Sequence, residues 1–271
     1  MVINLSERLS EFSYGYGVTR EIELLLRSVG CEATPFLPSL IHEEELGFDV
    51  GFAKPGRVVL AQFKLGQELR RFRLAAHETA VPDLDHPFWQ FRIDVVGHQF
   101  LRLIEFENNG AEVFYIAPRF ATWQDYDTAF HKGDVLERSL LTKPSEILHE
   151  LGGATAATGV HRIAYDRSRR YVCSEPRTIP EYRPQQVAMR VREQLGGQSE
   201  TLGDQIKRLY ARERPRRGPR LLRSDRAEAI LARAKTPLDG MAAIVALEAW
   251  TQGAQVIFVT LADPENAEDI S

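Results

Sequence analysis

The chain has 271 residues, 44% of them hydrophobic, and 34 Lys and Arg against 38 Asp and Glu for a net charge of −4. That much apolar material excludes global disorder and fits one large core, or a domain with a substantial appendage. Only Cys31 and Cys173 occur, far apart and in no metal-ligand spacing, which argues against a disulfide framework and against zinc and points to a reducing compartment.

The opening MVINLSERLSEF lacks the charged-then-apolar pattern of a secretory signal. No stretch approaches the roughly 18 uncharged apolar residues of a membrane helix. A cytoplasmic protein with no membrane association is the expectation.

In chain order, Val18, Ile22, Leu25, Leu26 and Val29 recur at helical spacing before Gly30, which predicts an amphipathic helix over 17–29. A short strand follows over 33–38. Residues 45–53, Lys54-Pro55-Gly56-Arg57 and 58–64 read as strand, tight turn, strand, because proline presets the first turn position and glycine supplies the positive φ of the second. The chain is then irregular until FWQFRI, a strand ending near Asp94. A helix over 97–108 stops at Asn109-Gly110 and leads into the strand AEVFYIAP. Two more strands fall at 160–165 and 171–174. From Pro184 the pattern becomes mainly helical, with helices over 200–214 and after Ser224. Thr236-Pro237-Leu238-Asp239 supplies an N-cap, a first-turn proline and a first-turn acid for a helix to about Gln252. AQVIFVTLA reads as a final strand that returns to the main sheet.

The proposed turn at Pro55-Gly56 sets a register in which Asp49 faces Gln62, with Lys64 on the same side by alternation. Directly opposed residues have Cβ atoms about 4.5–5.5 Å apart. The other face, Val50, Phe52, Val59, Ala61 and Phe63, is apolar and belongs to the core. A carboxylate and an amide oxygen that converge across two strands make a hard-oxygen site suited to Mg²⁺ or Mn²⁺. A lysine two residues on can orient or deprotonate a water and offset charge building on a phosphate. The parts suit phosphodiester hydrolysis.

An order of helix, three strands, helix and strand, with an acid on the second strand and Gln-x-Lys on the third, resembles the PD-(D/E)XK nuclease superfamily over about Ser10 to Arg119. Glutamine in place of the second acid is similar to the Mrr type of restriction-endonuclease-like protein. The resemblance implies an α/β, restriction-endonuclease-like core of order α-β-β-β-α-β, a central mixed sheet flanked by helices. It implies Asp49 as the metal-binding acid, Gln62 in place of the second acid, the Phe63 backbone carbonyl as a further metal ligand and Lys64 as the catalytic lysine. An acid from the first helix completes such a site. Glu21, which borders the packed face of the helix wheel, is preferred over Glu23, and Glu45 is a rival. His98 and Gln99 could face the same end of the sheet, although a histidine satisfied by backbone is the simpler reading.

Residues 1–175 read as the nuclease-like domain and 176–271 as a mainly helical, basic extension with a final strand. Between Lys207 and Lys235 eleven Lys and Arg stand against Glu213, Asp225 and Glu228, a net +8 that leaves −12 on the rest of the chain. Such segregation fits a surface that meets nucleic acid. Lys207, Arg208, Arg214, Arg216, Arg217, Arg220 and Arg223 are the candidate phosphate contacts. Eleven cations cannot pair with three acids within the block.

His149-Glu150 lacks the second histidine of HExxH, Gly15-x-Gly17 lacks the rest of a dinucleotide loop, and no P-loop lysine pattern occurs. The expectation is therefore a Mg²⁺- or Mn²⁺-dependent nuclease acting on DNA in preference to RNA, in restriction or antiviral defence. A homodimer would supply two sites for two strands. The competing expectations are an inactive nuclease-like module that binds nucleic acid, and a subunit that assembles with a partner protein of a defence system.

Overall fold

The computed structural model describes residues 9–37, 46–48, 50–153, 158–212 and 224–263. Its elements are α1 (Glu11–Ser28), β1 (Cys31–Pro35), β2 (Gly56–Phe63), β3 (Gln67–Leu69), β4 (Phe88–Asp94), α2 (His98–Asn108), β5 (Glu112–Pro118), α3 (Trp123–Lys132), β6 (Ser139–Thr142), α4 (Pro144–Glu150), β7 (Val160–Tyr165), β8 (Arg170–Val172), β9 (Arg177–Thr178), α5 (Pro184–Gly197), α6 (Leu202–Arg212), α7 (Ser224–Arg233), α8 (Pro237–Thr251) and β10 (Ala254–Leu261). The class is α/β. One five-stranded sheet has the order β1-β10-β2-β5-β6, and a second has the order β3-β4-β7-β8-β9. The last strand thus joins the first sheet, where it runs antiparallel to β1 with Ala33 opposite Val259.

Two compact units form, one from Met1–Ile22, Gln62–Ile104 and Phe114–Pro184, the other from Glu23–Ala61, Glu105–Val113 and Gln185–Ser271. They alternate along the chain, whereas the composition changes once, near residue 175.

In the first unit, β4 pairs antiparallel with β3 and β7, so that Trp89 faces Tyr165 and Phe91 faces Ile163. Beneath this sheet Phe88, Ala164 and Cys173 pack with Leu69, Phe72 and Leu84. The helix α1 begins six residues before the periodicity suggests. Ser10 Oγ accepts the Ser13 N–H at 3.0 Å, a cap that starts the helix. The aromatic and glycine run Tyr14-Gly15-Tyr16-Gly17 hides that start, because each glycine lowers helix propensity by about 1 kcal/mol. Both glycines admit close neighbours. A Cβ on Gly15 would lie 2.7 Å from Phe63 Cε2, and one on Gly17 would lie 2.9 Å from the Tyr126 hydroxyl. The same turns are held by Tyr14, whose hydroxyl donates to Ser139 Oγ at 2.7 Å, and by Tyr126, whose hydroxyl donates to Ser13 O at 2.6 Å. Gly15 thereby seats α1 against the end of β2.

In the second unit, the expected hairpin does not form among the described residues. The neighbours of β2 are β10 and β5, and no described residue of 46–53 forms a strand beside it. Backbone groups of Leu46, Phe48, Phe52 and Lys54 bond elsewhere. Leu46 N–H donates to Arg233 O at 3.0 Å, Lys235 N–H donates to Leu46 O at 2.9 Å, and Phe48 N–H donates to Asp239 Oδ1 at 2.8 Å. Phe52 O and Lys54 O accept from Gly203 and Leu202, each at 2.9 Å. Gly56 is the first residue of β2, and its missing side chain serves proximity, since a Cβ there would lie 2.3 Å from Leu202 Cβ. The two-faced reading of β2 also fails. Every residue of the strand except Arg57 is buried, as expected for an inner strand covered on both faces, which reads as the continuous run Val58-Val59-Leu60-Ala61. At α8 the reading holds. Thr236 Oγ1 accepts from Asp239 N, and the Asp239 carboxylate accepts from Thr236 N in return.

Candidate functional site

The last residues of β2 carry the polar groups of interest. Gln62 is 1% exposed. Its Nε2 donates a long 3.4 Å bond to Phe63 O, and its Oε1 is buried with no hydrogen-bond partner. An unpaired buried oxygen of this kind costs about 1–3 kcal/mol. Such an oxygen is open to a donor, a water included, or to a cation.

Lys64 follows directly, its N–H donating to Ile116 O of β5 at 3.0 Å. Its ammonium donates to Gln99 Oε1 at 3.1 Å and lies 5.7 Å from the Tyr115 ring centroid. Burial lowers the pKa of this ammonium, and the Glu11 carboxylate works in the opposite direction. A lysine so placed can hold or release a proton closer to neutrality than an exposed one. Three elements converge on it: α1 through Glu11, α2 through Gln99 and β5 through Tyr115.

The helix acid is where reading and structure part. Glu21 lies ten residues beyond Glu11, about 15 Å further along the helix axis. Its carboxylate accepts the N–H groups of Val135 at 3.0 Å and Leu136 at 2.7 Å. Burial raises its pKa in spite of those two bonds. Glu21 thus ties α1 to the turn before β6, and the helix acid whose charge reaches Lys64 is Glu11. Its sequence signal was the Ser10-Glu11 pair, a cap followed by an acid in the first turn. Glu23 pairs with Arg27 at 3.0 Å, one turn away. Asp49 and Glu45 lie outside the described residues, and the cross-strand register that set Asp49 opposite Gln62 has no hairpin to carry it.

The basic block also differs from expectation. Lys207 pairs with Asp204 at 3.1 Å. Arg208 pairs with Glu200 and donates through Nε to Asn109 O at 2.9 Å. Both acids precede the block, so its first two cations are neutralised from just outside it. Arg214, Arg216, Arg217, Arg220 and Arg223 lie outside the described residues.

Among the described residues, no three His, Cys, Asp or Glu side chains form a group able to hold a metal ion. Nor is any helix among them long and apolar enough to cross a membrane. Compared with protein families, curated proteins and solved structures, the chain matches none.

Proposed function

We propose that the chain is a metal-dependent nuclease with a restriction-endonuclease-like core, hydrolysing phosphodiester bonds in DNA in preference to RNA as part of restriction or defence against foreign DNA. The observation that carries this reading is the adjacency of an orphaned, buried Gln62 oxygen and a partly buried Lys64 whose ammonium is held by Gln99 and opposed by Glu11. Burying such groups is unfavourable for folding, and a reaction at the end of β2 gives them a purpose.

In this reading Lys64 Nζ orients the attacking water and offers positive charge to the phosphate as it becomes more anionic. Gln99 holds that ammonium in place, and Glu11 keeps it from losing its proton too readily. Tyr115 closes one side and limits water. A Mg²⁺ or Mn²⁺ ion would be held by Gln62 Oε1, the Phe63 carbonyl and Asp49, with Glu11 in place of Glu21 as the acid from the helix. The free Gln62 oxygen is the group that fits such an ion. When bound, the ion supplies Lewis-acid stabilisation of phosphate charge.

Plasmid and single-stranded substrates incubated with Mg²⁺ or Mn²⁺ test the reading. Cleavage by the wild type that is lost in Asp49→Ala plus Lys64→Ala is the expected result, and equal cleavage by both would remove it. A second reading is a module that binds nucleic acid without cutting it, favoured by the neutral Gln62 in the place where the resemblance has a second acid. Calorimetric titration with Mn²⁺ separates the two, because a binding-only module gives no heat that depends on Asp49.

A further inference from the structure

In the first unit, the segment after β3 folds back over a cavity of about 310 Å³. Its lining includes Phe72, Leu84 and Phe88 as an apolar, aromatic floor and Arg70, Arg71 and His86 at the sides. The two rings stand 5.9 Å apart between centroids at a tilt of 37°, His86 lies 5.5 Å from Phe88, and the Arg162 guanidinium lies 4.5 Å from the Phe72 centroid and takes up one side of that ring. Arg70 and Arg71 are exposed, and among the described residues neither has a hydrogen-bond or ion-pair partner. The one acid in the wall, Asp83, is already occupied by Arg169 at 2.5 Å. The cavity therefore presents two guanidinium groups without a protein partner among the described residues, beside an apolar, aromatic floor.

That combination selects a ligand with a phosphate and a planar ring. Guanidinium groups fit phosphate oxygens through paired N–H donors. Aromatic side chains take any nucleobase by stacking, without sequence preference. The volume sits at the lower end of small-molecule sites, about 300–1,000 Å³, which is room for one base and not for several. Arg70 is six residues beyond Lys64, so the two backbones are at most about 20 Å apart. A strand crossing the end of β2 can reach the cavity within a few nucleotides.

We infer that this cavity is a nucleotide pocket, in which one base rests against Phe72 and Leu84 while its phosphate is held by Arg70 and Arg71. The choice of a nucleotide rests on the proposed action on nucleic acid, but its binding does not require cleavage. The nucleotide comes either free or as one unit of a strand.

The test uses the full chain and a fluorescein-labelled thymine hexadeoxynucleotide, followed by anisotropy, with dAMP and inorganic phosphate as competitors. Arg70→Ala plus Arg71→Ala should weaken hexamer binding by about tenfold or more. The same change should flatten the salt dependence of log K by about 0.7, the value for one phosphate contact on a single strand. Phe72→Leu, which keeps an apolar side chain, should weaken dAMP and leave phosphate unchanged. Lys132→Ala, an exposed cation elsewhere in the same unit, should bind as wild type does.

Competition by dAMP assigns the pocket to a nucleotide from either source, and competition only by unlabelled hexamer assigns it to a strand unit. Equal affinity and equal salt slope in the double arginine variant would overturn the inference, and so would phosphate competing as well as both nucleotide forms. Nucleotide binding that survives in a chain with no cleavage activity would leave the pocket standing and remove the nuclease reading alone.

Discussion

Asp166 and Gln62 are both buried in the first unit, at 0% and 1% exposure, and they are treated in opposite ways. The Asp166 carboxylate accepts N–H groups from Asp85, Ser168 and Arg169, each at 2.7 Å, and the Arg169 guanidinium at 3.1 Å. Nearby, Glu78 is clamped by Arg162 and the Ala75 N–H. Gln62 has one long bond and an oxygen with none. Lys64 is held by a neutral amide where a carboxylate would have neutralised it. Asp166 and Glu78 are bonded on every side, whereas Gln62 belongs to a scattered set of buried atoms with no partner, Trp89 Nε1, Asn109 Oδ1 and Thr142 Oγ1 among them, and stands out by its place beside Lys64. The proposed function gives the difference at the end of β2 a purpose.

The comparison can be broken from the structural side first. Replacing Glu78 by Ala removes the carboxylate partner of the largely buried Arg162 guanidinium, which keeps only Gln90 Oε1 and Arg73 O as acceptors, and should cost about 3 kcal/mol in urea unfolding. Burial pushes the Glu78 carboxyl up, but Arg162 and the Ala75 amide outweigh it and leave its pKa below the ordinary value. Its stabilisation is therefore complete above the unfolded carboxyl value of about 4.3 and is lost as pH falls through the lower folded value. The Glu78→Ala variant should lack that acid-side loss when ΔG is followed against pH.

Asp166→Ala comes next, at about 2–3 kcal/mol, because several N–H donors lose their acceptor at once. A smaller effect is expected of Gly15→Ala. Crowding Phe63 costs about 1–3 kcal/mol and helix propensity returns about 1, for a net loss of about 0–2 in thermal unfolding. Smallest is Gln62→Leu, which removes an unpaired oxygen and should leave stability within about 1 kcal/mol of wild type, or above it. Calorimetric melting checks this. A loss of several kcal/mol would show that Gln62 is structural after all.

The parts of the fold with local signals were legible in the sequence. Thr236 to Asp239 announced its capping box, and the apolar runs of β4, β5 and β10 fell where expected. The hairpin misled because Pro55-Gly56 carries two physical meanings. It can be a turn, or it can be a proline entering a strand whose glycine lets α6 approach. Only the tertiary partner, Leu202, decides between them. Glu11 was missed because Gly15 and Gly17 weaken the helical pattern of the turn in which it sits. The helix α3, despite its Thr122 cap, was obscured by a run of aromatic and acidic residues with little periodicity. The position of Gln62 and Lys64 at a strand end was legible because the pattern Gln-x-Lys there is itself local. Their surroundings, Gln99 and Tyr115, come from distant segments.

The most direct measurement of the central claim is Lys64→Met, assayed for plasmid cleavage with Mn²⁺ and for melting temperature on the same preparation. Burial lowers the Lys64 pKa, so the charged form opposes folding below that value and the opposition fades as pH rises toward the unfolded value of about 10.4. Removing the charge should leave the melting temperature at or above that of wild type at neutral pH, while cleavage falls by about 10²–10⁴-fold. Wild-type cleavage by Lys64→Met, or a variant that loses its fold along with its activity, would contradict the assignment of this lysine to chemistry.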